Sequence, residues 1–121
     1  MSMKYGCSLS DWENAKSEMR NILIEIAKKQ DIIPYSELVK RVQIISLEAS
    51  SYALADMLGE ISTTEDAAGR GMLSAVVVHK DDNLPGKGFF ELGRILGRDI
   101  SEKEEFWVDE VKRVYSSWGG P

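Results

Sequence analysis

The feature that most constrains this chain is an apolar stripe along one face of its first long segment. In "SLSDWENAKSEMRNILIEIAKKQ", Trp12, Ala15, Met19, Ile22, Leu23, Ile26 and Ala27 recur at helical spacing. A helix with one broad apolar face has to lay that face against other elements. The rest of the chain must therefore supply a cover. At 121 residues the chain has the length of one domain and can bury a core without disulfides or metal.

The cover is legible in pieces. Ser10 and Glu13 read as a capping box for the first helix. In "DIIPYSELVKRV", Pro34 disfavours helix at Ile33, and a short helix through Glu37, Leu38, Val39 and Val42 follows. "SLEASSYALADMLGEI" predicts a third helix with Tyr52, Leu54, Met57, Leu58 and Ile61 on its buried face, and Gly59 inside this pattern weakens the case for one straight helix. "STTEDAAGRG" reads as a short helical turn capped by Thr63 or Thr64, with Gly69 as its stop. "MLSAVVVH" reads as a strand, "KDDN" as a turn and "LPGKGFF" as a short return strand or an extended loop. Two helices close the chain, "FFELGRILGRD" and "SEKEEFWVDEVKRVYSSW", the second with Ser101 and Glu104 as a capping box.

The expected fold class is α+β and mostly helical. It is winged helix-turn-helix-like, with one β-hairpin and two C-terminal helices. Residues 1–9 are expected as a flexible tail, 10–118 as a single domain and 119–121 as a second tail.

Three stretches carry a resemblance. "IPYSELVKRV", "YALADMLGEI" and "LSAVVVHKDDNLPGKGFF" resemble segments of the C-terminal domain of the O6-alkylguanine-DNA alkyltransferases and the alkyltransferase-like proteins, over roughly Ile33 to Arg94. The resemblance implies a winged helix. The family's reactive strand carries a proline–cysteine–histidine–arginine run. Aligned on the turn, Ser74, Ala75, Val76 and Val77 stand there instead. Alkyl transfer needs an activated thiolate, so that reaction is excluded. The alkyltransferase-like proteins bind DNA through a recognition helix with an intruding arginine, and here no Arg or Lys occurs from Ser46 to Gly69. The ending "GFF…LGR…FW…VKRVY" is similar to that of a group of small bacterial proteins, which implies no function.

Charge divides the functional readings. The chain carries a net charge of −5, and Glu48, Asp56, Glu60, Glu65 and Asp66 make its middle wholly acidic. Carboxylates beside a phosphate backbone oppose binding, because nucleic-acid affinity draws on counterion release by basic groups. The expected function is a non-catalytic binding module. A protein partner or a small anionic, nucleotide-like ligand is favoured, held by the basic glycine-rich hairpin at Arg70, Lys80, Lys87, Gly88, Phe89 and Arg94. Nucleic acid contacted through the wing is the alternative. A homodimer is compatible with the C-terminal aromatics Trp107, Tyr115 and Trp118, which otherwise bury against the first helix.

Catalysis has thin support. His79 is the only histidine, and with Asp81 and Asp82 it could serve a small hydrolase or nuclease or hold a divalent cation. An exposed histidine beside a turn is the plainer reading. No catalytic residue, metal or cofactor is expected. A single cysteine, Cys7, makes no internal disulfide. With no apolar h-region in "MSMKYGCSLSDWENAK" and no run long enough to cross a bilayer, a cytoplasmic setting without a membrane partner is expected.

Overall fold

The computed structural model describes residues 3–119. The expected tails therefore divide: residues 1–2 and 120–121 lie outside the described residues, while residues 3–8 are folded. There β1 (Met3–Lys4) and β2 (Cys7–Ser8) pair antiparallel. Tyr5 and Gly6 between them both take positive φ, 51° and 82°, as the tight primed turns of hairpins require. The Tyr5 ring stacks on Trp12 at 5.6 Å, which ties the hairpin to the first helix.

That helix, α1 (Leu9–Lys28), buries Trp12, Ala15, Met19, Leu23, Ile24, Ile26 and Ala27. Its cap is Ser8 rather than Ser10: the Ser8 hydroxyl accepts from the Asp11 backbone N–H at 3.0 Å. Next come β3 (Ile33–Pro34), α2 (Tyr35–Arg41) and α3 (Tyr52–Ala67). Ser51 caps α3 by accepting from Leu54 N–H at 3.1 Å. Gly59 does not interrupt α3, and the expected short turn at residues 63–67 is its last part. Gly69 does end it, at φ 80°. Tyr52, expected inside, is 86% exposed.

The valine-rich run departs most from expectation. Leu73–Val76 form a 3-10 turn, and only Val77–Val78 form a strand, β4. β4 pairs in parallel with β3, with Ile33 opposite Val77 and Pro34 opposite Val78. No return strand forms at residues 84–88, so the expected β-hairpin is replaced by a loop. His79 N–H donates to Leu84 O and Asn83 N–H to His79 O, which closes that loop on itself.

The reason is burial on every side. The 3-10 turn packs against α1, α3 and α5 at once. Its backbone groups find side-chain partners instead of a ladder. Met72 N–H donates to Glu110, Ser74 N–H to Ser62, and Ala75 O accepts from the Trp107 indole. Strand pairing stops at two residues because Pro34 brings no N–H and α2 begins directly after it.

Two helices complete the fold, α4 (Lys87–Ile95) and α5 (Lys103–Trp118). The expected cap at Ser101 is not made, since α5 starts from Glu102 without a side-chain cap. Phe89, Phe90 and Phe106 cluster where α4 meets α5, with ring centroids 5.3–6.1 Å apart. The coarse class is as expected, α+β and mostly helical. No helix among the described residues is long and apolar enough to cross a membrane.

Candidate functional site

A half-open, mainly apolar cavity of about 340 Å3 lies between the start of α2, α3, the 3-10 turn and the start of α4. Leu54, Leu58, Phe89 and Leu92 supply its apolar wall, and Ser51, Ala55 and Gly59 its α3 side. α4 needs no bulky cap here. Its N-cap is Gly86, which offers no side-chain acceptor to the first turn. Only Phe89 N–H is engaged locally, by Gly86 O at 3.1 Å. Exposed N–H groups at a helix start, with the exposed Lys87 beside them, favour an anion.

Gly86 is fixed by close approach. Its N–H donates to the Tyr35 hydroxyl at 2.8 Å. A Cβ there would stand 3.1 Å from His79 Nε2 and 3.4 Å from the Tyr35 oxygen. The Tyr35 and His79 rings lie 4.9 Å apart at 45°. Burial raises the Tyr35 phenol above its ordinary value, against the Gly86 N–H, which lowers it. The phenol therefore stays protonated at neutral pH and can donate as well as accept. Ser74 offers a second donor. Its hydroxyl lies 2.6 Å from that of Ser62, in hydrogen-bond contact, and Ser74 lines the cavity.

The six residues expected to hold a ligand do not converge. Lys87, Gly88 and Phe89 line the cavity. Lys80 is exposed on the closed loop and does not line it. Arg94 is exposed and pairs with Glu91 one turn earlier on α4. Arg70 lies past the far end of α3, bound to the buried Glu65. Tyr35, Ser51, Gly59 and Ser74 also line the cavity, and sequence reasoning missed them. Nothing in the sequence signals that residues 35, 59, 74 and 86 meet, because the parallel pairing of β3 with β4 brings the first together with the rest. Ala75 is fully buried, and of Ser74 to Val77 only Ser74 lines the cavity.

His79 is exposed at the rim, and among the described residues no three His, Cys, Asp or Glu side chains are grouped to hold a metal ion. Cys7 lines a separate cavity of about 150 Å3 beside Trp12 and Leu47. The C-terminal aromatics are mostly engaged internally. Trp107 donates to Ala75 O, and the Tyr115 hydroxyl donates to Asp31 O at 2.7 Å.

The acidic middle block is largely neutralised inside the fold. Glu65 pairs with Arg20 and Arg70, and Asp66 with Arg98. Asp56 accepts from the Tyr5 hydroxyl. Glu60 accepts from Lys4, from Lys16 at 3.0 Å and from the Trp12 indole at 2.9 Å.

Glu60 carries a testable pH dependence. Partial burial would raise its carboxyl, but the hydrogen bonds from Lys4, Trp12 and Lys16 outweigh that and hold it at about 2. In the unfolded chain it returns to the ordinary value of about 4.3. Its contribution to stability is complete above the unfolded value and is lost as pH falls toward about 2. Glu60→Gln is therefore expected to destabilise the wild-type fold at neutral pH by about 1–2 kcal/mol. The gap should shrink in acid, as read by urea unfolding across that range. An equal gap at every pH would refute the assignment.

Compared with family models, with curated proteins and with solved structures, the chain has no match in any of the three.

Proposed function

We propose that this chain is a non-catalytic binding module whose cavity receives a small anionic, nucleotide-like ligand. The observation that carries the reading is the cavity itself, apolar along α3 and bounded by the uncapped start of α4. A planar base fits between Leu54, Leu58 and Phe89, with Ser74 and Tyr35 as hydrogen-bond donors. Its phosphate meets the free N–H groups of Lys87 and Gly88 and the Lys87 ammonium. The three stretches that resemble the alkyltransferase family also supply the cavity walls. The order of α1, α2, α3 and β4 supports a helix-turn-helix-like framework, with the closed loop at residues 79–84 where a wing would stand.

Calorimetry with a panel of nucleoside monophosphates tests the reading. Lys87→Glu is expected to weaken binding about tenfold. Gly59→Leu, which puts a side chain on the cavity wall, is expected to abolish it. Binding that survives Gly59→Leu would place the ligand elsewhere, and no binding by any member would remove the reading.

One observation favours a second reading, contact with nucleic acid through the closed loop and the start of α4, residues 79–88. Four of the five acids that oppose it are held by partners within the fold. Lys80 is exposed on that loop and Lys87 at the first position of α4. Binding of a short duplex that falls steeply with salt and is lost in Lys87→Glu would support it.

A further inference from the structure

Beyond the cavity, the far end of α3 gathers a second set of charges. Glu65 is 1% exposed and accepts the Nε–H of Arg20 with one oxygen and that of Arg70 with the other. Arg20 comes from α1 and Arg70 from the turn after α3. Both guanidinium carbons lie 5.5 Å from the ring centroid of Trp118, near the end of α5. Two guanidinium groups against one carboxylate leave one net positive charge. The neighbouring Arg98–Asp66 and Arg113–Glu110 pairs are internally balanced.

The contrast with Arg98 is informative. Arg98 gives Nε to Glu110 and both terminal nitrogens to Asp66, and only 22% of its side chain is exposed. Arg20 and Arg70 give only Nε. Their terminal nitrogens have no partner among the described residues, and their side chains are 38% and 37% exposed. Trp118 Nε1 is buried and also has no partner. The unengaged polar groups of this cluster are thus donors, and each Glu65 oxygen already accepts one hydrogen bond. A carboxylate that only needed neutralising would be served by one arginine.

We propose that Arg20 and Arg70, oriented by Glu65 and Trp118, form a binding site for a phosphate dianion, free or as a terminal monoester. Two planar guanidinium edges in fixed orientation match the oxygens of such a group, and the net charge favours a dianion over a diester.

The test is an NMR titration of the full chain that follows the Arg20 and Arg70 Nε–H signals and the Trp118 indole N–H. The probes are inorganic phosphate, methyl phosphate and dimethyl phosphate, with ionic strength held constant by chloride. Saturable shifts of these signals with inorganic phosphate or methyl phosphate are expected, and none with dimethyl phosphate. Tighter binding of methyl phosphate points to an ester as the source, and tighter binding of inorganic phosphate to the free ion. Arg70→Lys keeps the charge opposite Glu65 and so keeps the fold, but removes the fork. It is expected to weaken binding about tenfold. Three results would each overturn the site: no saturable shift, an equal response to dimethyl phosphate, or unchanged affinity in Arg70→Lys.

Discussion

Replacing Glu110 with alanine is expected to destabilise the fold by about 3–5 kcal/mol, the largest effect of any single change considered. Glu110 is 2% exposed. One carboxylate oxygen accepts from Met72 N–H at 3.0 Å, and the other takes Arg98 Nε at 3.0 Å and lies 3.4 Å from Arg113. Truncation leaves a buried backbone donor without an acceptor and Arg98 without half its partners. The first penalty falls on the run that enters the 3-10 turn at the centre of the core, and the second on the connection between α4 and α5. A domain of this size has about 5–15 kcal/mol of total stability, so the variant should unfold at a much lower urea concentration. Arg113→Ala is the control. That arginine is 55% exposed, and its loss should cost under about 1 kcal/mol. If the two variants unfold alike, Glu110 does not anchor the central run.

The second large effect is a pair of glycine substitutions with opposite signs. A Cβ on Gly93 would stand 2.5 Å from Cζ of Phe106 and 2.9 Å from its Cε2. That ring is held by Phe89 and Phe90 and cannot withdraw cheaply. Gly93→Ala is expected to cost about 1–3 kcal/mol, although alanine is the better helix former. At Gly59 a Cβ would meet nothing within 4 Å. Gly59→Ala is expected to stabilise the fold by about 0.5–1 kcal/mol. Thermal melts of the two variants give the signs directly. A destabilising Gly59→Ala would mean that α3 does not pass straight through that position.

These two glycines mark what the sequence can express. Both sit inside helical patterns, and composition alone treats them alike. The apolar periodicity of residues 12–27 and of α5 was legible because it records which face is buried. Gly69 was legible as a helix stop because a left-handed residue is a local requirement. The fate of "LSAVVV" was not, because valine's preference for strands assumes an open edge to pair with. Here β3 offers two residues of edge, and three helices enclose the remainder. The local caps slipped by two residues at Ser8 for a similar reason, since the β1–β2 hairpin decides where α1 can begin.

The site was half legible for the same cause. Lys87, Gly88 and Phe89 are contiguous, so a glycine-rich basic stretch before a helix identified them. Arg70 and Arg94 looked equivalent by sequence proximity, yet Glu65 and Glu91 engage them away from the cavity. The acidic block was visible as composition, while its neutralisation by Lys4, Lys16, Arg20 and Arg98 depends on contacts up to 56 positions apart.

The central claim is that the cavity beside α4 is a ligand site, and one measurement reaches it most directly. Amide NMR shifts of the full chain would be followed during titration with a nucleoside monophosphate. Saturable shifts are predicted at Tyr35, Ser51, Gly59, Ser74 and Gly86–Phe89, and they should vanish in Gly59→Leu. Shifts confined to Arg20, Arg70 and Trp118 would assign the phosphate to the other end of α3 and leave the cavity without this ligand. An absence of shifts around the cavity, at saturating ligand and low salt, would contradict the account.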